Sequence, residues 1–145
     1  MTYLLQSTKF FQLAGLAIIC GGILIIGAVT APLVFGSLDR PVAAELMIKI
    51  FGRFENIIKY SVFVVFVFKV IEIFLLGLKG DLKSIAGYIA VALLFLVTSY
   101  IVFFLSPQLG AARGVDEELF DKLHKLSEKL YKLDFLLALI SLGLA

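Results

Sequence analysis

Two charged residues, Lys69 and Glu72, stand three apart in "FVFKVIEIFLLG" (66–77), a run otherwise made of aliphatic and aromatic side chains before its closing glycine. A charge deep in hydrocarbon costs at least ~2.5–3.5 kcal/mol, so the two are expected to point into a protein interior and neutralise each other. Lysine comes first, the weaker order for a pair on one helix, so another helix is a plausible source of a second partner. Asp134 is the only acid in the apolar part of the last segment. Counting from the outer ends of the two segments puts Asp134 level with Lys69. Counting by an internal repeat puts it level with Ser61, about 12 Å away. Only the first register allows contact.

A second set of chemistry-bearing residues lies toward the other end of the same segments. His124, the only histidine, shares a helical face with Phe120, Ser127, Tyr131 and Asp134, spaced 4,3,4,3. The earlier segment carries a comparable stripe of Glu45, Lys49, Asn56 and Tyr60, with Arg53 close by. Facing one another, the two stripes make a polar crevice in which His124 meets Asn56, Lys59 or Tyr60. The blander alternative is two solvated amphipathic faces, with His124 in a structural hydrogen bond.

Metal and cofactor chemistry finds little support. The soft ligands besides Met1 are Cys20, Met47 and His124, and Cys20 sits mid-span, away from the other two. No tetrahedral set assembles within one chain, a lone histidine excludes bis-histidine haem in a monomer, and a lone cysteine excludes an intramolecular disulfide. No phosphate loop, nucleophile elbow or HExxH occurs. No cofactor and no metal are expected within one chain, a metal site shared across a dimer stays open, and a membrane enzyme using His124 and Asp134 ranks third among the readings.

The elements that must position these residues follow from composition. The chain has 145 residues, 61% hydrophobic and 17% charged, with a mean hydropathy of +1.08. A soluble domain of this size would expose far too much apolar surface. Apolar runs near the ~20 residues needed to cross hydrocarbon recur along it. The class is an all-α integral membrane four-helix bundle, and the lipid bilayer is its first partner. A net charge of +2 without a basic, aromatic-laced patch speaks against nucleic acid. The N-terminus lacks a charged n-region and cleavage site, so Met1 onward is expected to be mature protein.

One transmembrane domain, 1–145, is expected to hold spans at about 10–34, 57–78, 85–105 and 127–145, with amphipathic extensions at 41–56 and 115–130. Gly15, Gly21, Gly22 and Gly27 in the first span let another backbone approach closely. Pro41 suits the first turn of helix 2, with Asp39 or Ser37 as cap. Helices 2 and 4 are overlong and extend into the cytoplasm as a paired stalk. Leu119, Leu123, Leu126, Leu130, Leu133, Leu137, Ile140 and Leu144 follow a 4,3 spacing, a heptad seam that wants a partner helix.

"AELMIKIFGRFENIIKY" lies over "EELFDKLHKLSEKLYKL", and each preceding span ends in a small residue and proline, "APLVF" at 31–35 and "SPQLG" at 106–110. This suggests two parallel hairpin repeats related by an axis along the membrane normal. Arg40, Lys49, Arg53, Lys59, Arg113, Lys122, Lys125, Lys129 and Lys132 fall on one side, against Lys9, Lys79 and Lys83 on the other. The asymmetry puts both overlong ends in the cytoplasm and both termini outside.

The glycine-rich first span with Ala31, Pro32 and Phe35, the following Ile50-Phe51, Pro107 after span three, and Leu123, His124 and Ser127 in the last helix resemble the transmembrane protein 205-like family. The resemblance covers nearly the whole chain. It implies four spans and no established reaction, and many of its bacterial members are catalogued only as a membrane domain of unknown function. An association of a eukaryotic relative with metal-drug resistance keeps transport in view. "AAE" at 43–45 departs from the Ala-Gly of the family pattern.

The leading expectation is a bacterial inner-membrane protein that binds or passes an ion, small solute or amphiphile through the inter-helix crevice. The competitor is a structural or accessory subunit acting through helix–helix assembly, as a homo-oligomer or beside a membrane-complex partner.

Overall fold

Two prolines set the character of the most apolar helices. In each, the turn before the proline widens to a π-helix and the rod then continues. The computed structural model describes residues 2–78 and 80–145. Lys79, weighed above for orientation, and Met1, the expected mature start, lie outside the described residues. The described chain is all-helical. Helix α1 comprises Thr2–Leu24, a π-helical stretch Ile25–Thr30 and Ala31–Ser37; α2 is Arg40–Leu76. Helix α3 comprises Leu82–Tyr100, a π-helical stretch Ile101–Leu105 and Ser106–Ala112; α4 is Glu117–Leu144.

A proline inside a helix has no N–H to give, and its ring crowds the carbonyl four residues back. A π turn takes up one extra residue and relieves that crowding. Ala31 N–H bonds Ile26 O and Ser106 N–H bonds Ile101 O, each reaching five residues back just before Pro32 and Pro107.

The breaks between helices are short. Asp39 occupies the N-cap of α2 with Pro41 behind it, but its side chain makes no capping bond, and Ser37 is the last residue of α1. Asp81 and Asp116 do cap, accepting from the backbone N–H of Ser84 (3.0 Å) and Leu119 (2.9 Å). Gly77 and Gly114 take positive φ, 73° and 69°, in the connections that follow α2 and α3.

Helix α2 is unbroken over 37 residues, about 55 Å at ~1.5 Å per residue. The expected contrast between overlong and ordinary helices is not seen. Tyr3–Ser37 runs 35 residues and Leu82–Ala112 runs 31, against 28 for α4. Tyr3–Ser37 and Leu82–Ala112 are long and apolar enough to cross a membrane.

Each helix packs against two neighbours, in the cycle α1–α2–α3–α4–α1. Helices α2 and α4 therefore sit across a diagonal rather than side by side, and the paired stalk is not formed. The tightest seam joins α1 to α2. A Cβ added at Gly15 would stand 2.6 Å from Val65 Cγ2, and one at Gly22 would stand 2.5 Å from the Phe54 ring. Gly21 and Gly27 have open space instead. The core is built from Leu16, Ile19, Phe54, Ile58, Val62, Val65, Val91, Leu94 and Leu137.

The leucine seam of α4 is split between an outward line and a line of half-buried residues, Leu123, Leu130 and Leu144. Leu119, Leu126, Leu133 and Ile140 are exposed, and only Leu137 is buried. The face turned inward carries Ser127, Asp134, Ala138 and Ser141, with Tyr131 half-buried among them.

Candidate functional site

The inward stripe of α4 continues the 4,3 spacing read from the sequence, through 127, 131, 134, 138 and 141. Polar groups meet between helices at two levels of the bundle, and the stripe takes part in the first. Nearer the connections at 38–39 and 113–116, Tyr131 donates its hydroxyl to Glu55 Oε1 of α2 at 3.0 Å. Ser106 Oγ of α3 donates to the same oxygen. One carboxylate oxygen thus ties three helices. Ser106 directly follows the π turn of α3, whose extra residue sets the direction in which its hydroxyl points.

One turn further along α4, Asp134 is fully buried. Its Oδ2 accepts from Thr98 Oγ1 of α3 at 2.8 Å, while Oδ1 has no hydrogen-bond partner. Two turns beyond, the buried Ser141 hydroxyl is likewise unpartnered. Buried polar groups are nearly always satisfied, and an unpaired one costs about 1–3 kcal/mol, so each of these two atoms calls for an explanation. The contact between Tyr131 and Glu55 also settles the register. Asp134 lies near the level of Ile58 and Ser61, so it does not reach Lys69.

The second level lies toward the chain termini. Lys69 Nζ pairs with Glu72 Oε2 at 2.9 Å, with side chains only 13% and 15% exposed. The further partner is Gln12 of α1, whose amide donates to Glu72 Oε2 (2.9 Å) and to Phe68 O (3.1 Å). Lys69 Nζ also lies 5.6 Å from the Tyr88 ring centroid on α3. Beside the pair opens a pocket of about 260 Å³, which includes Lys9, Asp81, Lys83 and Ser84 in its wall.

The amphipathic ends do not enclose the expected crevice. His124 is half-exposed, 3.4 Å from Glu128 and stacked on Phe120 at 5.9 Å. On α2, Lys49 pairs with Glu45 at 2.7 Å, Asn56 donates to Gly52 O, and Lys59 donates to Asn56 Oδ1 while lying 4.9 Å from the Tyr60 ring. Arg53 is exposed. The Lys49 ammonium holds the Glu45 carboxyl below its usual range, and Asp121 pushes the Lys125 ammonium up, as charged partners do on solvated faces. Of the eight crevice candidates, Ser127, Tyr131 and Asp134 face the interior; His124, Lys49, Arg53, Asn56 and Tyr60 do not.

Gln12, Glu55, Thr98 and Ser106 were not foreseen. Gln12 and Thr98 are isolated polar residues within apolar spans, a signal available in the sequence. Glu55 falls opposite Glu128 in the aligned repeat and outside the stripe of Glu45, Lys49, Asn56 and Tyr60. Ser106 was noted only as the small residue before a proline. Among the described residues no three of His, Cys, Asp and Glu lie close enough together to hold a metal ion.

Residues 14–117 match the profile of a domain of unknown function, DUF4149. No curated protein and no solved structure matches the chain.

Proposed function

The chain belongs to the DUF4149 family, and from its buried polar line we propose that it is a four-span integral membrane protein that binds or passes an ion, small solute or amphiphile between its helices. The observation that carries this reading is the Asp134 carboxyl, fully buried and with one oxygen unpartnered. An ionisable group at membrane depth is expensive and marks a functional site by default. Glu55 and Tyr131 on one side, and Ser141 and then Gln12, Glu72 and Lys69 on the other, extend polar character toward both ends of the bundle.

The membrane setting is supported by what the helices show outward. Phe10, Leu33, Phe63, Leu96, Phe103 and Phe104 are each at least half exposed, an arrangement suited to lipid rather than water. Small and polar residues inside with leucines outside is the pattern that lipid favours. The basic asymmetry supports both termini outside, in a bacterial inner membrane. Two hairpin repeats are supported by the π turn that precedes a small residue and proline in both α1 and α3. The transmembrane protein 205-like resemblance, carried by Ala31, Pro32, Phe35, Pro107 and His124, implies the same four spans.

The test is flux. Reconstituted in liposomes with entrapped pH- and potassium-sensitive dyes, the protein should dissipate an imposed gradient of one of these ions, and Asp134→Leu should abolish the dissipation. Absence of flux for both ions, with Asp134→Leu more stable than the parent, would favour a structural or accessory subunit. One observation speaks for that second reading. Leu119, Leu126, Leu133 and Ile140, seven residues apart, form an outward stripe on α4 that another helix could cover.

A further inference from the structure

Helices α2 and α3 separate along one stretch to leave a groove of about 460 Å³, lined by Lys59, Tyr60, Phe63, Phe95, Thr98 and Phe103 among others. Its volume falls within the ~300–1,000 Å³ of ordinary ligand sites. The groove has two unlike ends. Phe66 of α2 stacks on Phe95 of α3 at 4.3 Å, which joins the two helices beside the apolar end. At the other end stand the Lys59 ammonium and the Tyr60 ring. Lys59 donates to Asn56 Oδ1 and lies beside Tyr60, and among the described residues it forms no ion pair. An ammonium has three donors, so Lys59 has capacity left for an anion.

We infer that this groove is a binding site for one acidic phospholipid, with its phosphate at Lys59 and an acyl chain lying between Phe63, Phe95 and Phe103. This rests on the membrane reading above and names the amphiphile. From Phe103 to Phe95 the groove is about 12 Å long at ~1.5 Å per residue. That length suits part of an acyl chain and is short for the extended face of a partner helix. The cationic end lies on the side where basic residues concentrate, the leaflet side on which acidic lipids attract lysine. The back wall adds a connection. Thr98 lines the groove while its hydroxyl holds Asp134 on the inner side, so a single residue separates the lipid from the buried carboxyl.

The chain contains no tryptophan, so an introduced one reports its own surroundings. Phe103→Trp places the reporter in the groove. Leu136→Trp places one on the exposed face of α4, away from it. Each variant is reconstituted in phosphatidylcholine liposomes containing brominated phosphatidylglycerol or brominated phosphatidylcholine, and fluorescence quenching is measured against mole fraction. Brominated phosphatidylglycerol should quench Phe103→Trp at roughly five-fold lower mole fraction than brominated phosphatidylcholine does, the preference expected of one basic contact. Leu136→Trp should be quenched equally by both lipids. Adding Lys59→Gln to Phe103→Trp should bring the two lipids level.

Equal quenching of Phe103→Trp by both lipids, or a preference that survives Lys59→Gln, overturns the site. So does a Phe103→Trp reporter reached by neither lipid while Leu136→Trp is quenched, since protein then covers the groove. If Leu136→Trp is itself unquenched, the membrane reading fails first and the site with it. Phe63→Trp serves as the groove reporter, with the same outcomes, should Phe103→Trp not fold.

Discussion

Tyr131 and Glu55 join helices that are not neighbours: the α4 hydroxyl crosses the bundle diagonal to reach the α2 carboxylate at 3.0 Å. Helices on a diagonal share little backbone contact, so this bond sets how α2 and α4 stand relative to each other, while the Ser106 bond to the same oxygen ties in α3. Hydrogen bonds to charged groups contribute about 1.5–3 kcal/mol. Tyr131→Phe should therefore lower stability in detergent by about that amount. Glu55→Ala, which strands two hydroxyls, should cost more. Denaturant titration of the folded helical signal measures both, and a Tyr131→Phe protein as stable as the parent would remove the diagonal tie.

Lys69 and Glu72 give a sharper expectation because both are largely buried. Lys69→Met leaves a buried carboxylate held by Gln12 alone and should cost about 3–5 kcal/mol. The double change Lys69→Met with Glu72→Leu should recover most of that loss. Adding Gln12→Leu removes the amide then left without its carboxylate, and should recover a little more. Additive losses in the double mutant would mean that the charges act independently.

The glycines of α1 should divide by position. Gly15→Ala and Gly22→Ala drive a Cβ into Val65 and Phe54, and each should cost about 1–3 kcal/mol. Gly21→Ala has open space and replaces a poor helix former, so it should be neutral or stabilising by up to ~1 kcal/mol. Thermal unfolding of the three variants side by side tests the α1–α2 seam. Equal effects would show that the two helices are not so closely apposed.

His124→Leu should change stability by no more than about 0.5 kcal/mol, as substitutions on solvated helix faces do. Its contact with Glu128 is exposed on both sides, and such pairs contribute little. A large loss in ion flux with unchanged stability would instead return His124 to the functional site.

The helices and the polar stripe of α4 were legible in the sequence; that this stripe, rather than the leucine seam beside it, forms most of the enclosed face was not. The 4,3 leucine spacing is real, but the inference that leucines pack inward belongs to proteins dissolved in water. Where the surroundings are themselves apolar, leucine gains nothing by burial, and the interior goes to groups that hydrogen-bond or pack closely. Ser127, Tyr131 and Asp134 were named for that stripe and lie inside. His124 and Phe120 belong to the same stripe but precede the stretch where α4 is enclosed. The Lys69–Glu72 pair followed from the cost of charge in hydrocarbon. Its partner Gln12 did not, because an uncharged amide gives no such warning. Thr98 and Ser106 escaped for a related reason, since hydroxyls are common in apolar helices and only packing reveals which ones are used.

The π turns at Ile25–Thr30 and Ile101–Leu105 have a genetic consequence. Each is an α-helix carrying one surplus residue, so each is where a single codon can be lost without breaking the rod. Because the π turn already absorbs that residue, a deletion in 101–105 would close it to an ordinary α turn and leave the flanking stretches near their present phase, whereas a deletion elsewhere in α3 would rotate them against each other by about 100°. The helix would survive, and Ser106 would stay on the side that meets Glu55. A gene library of one-codon deletions along α3 should therefore keep folded protein, with the three-helix junction at Glu55 intact, at these five positions more often than elsewhere in the helix.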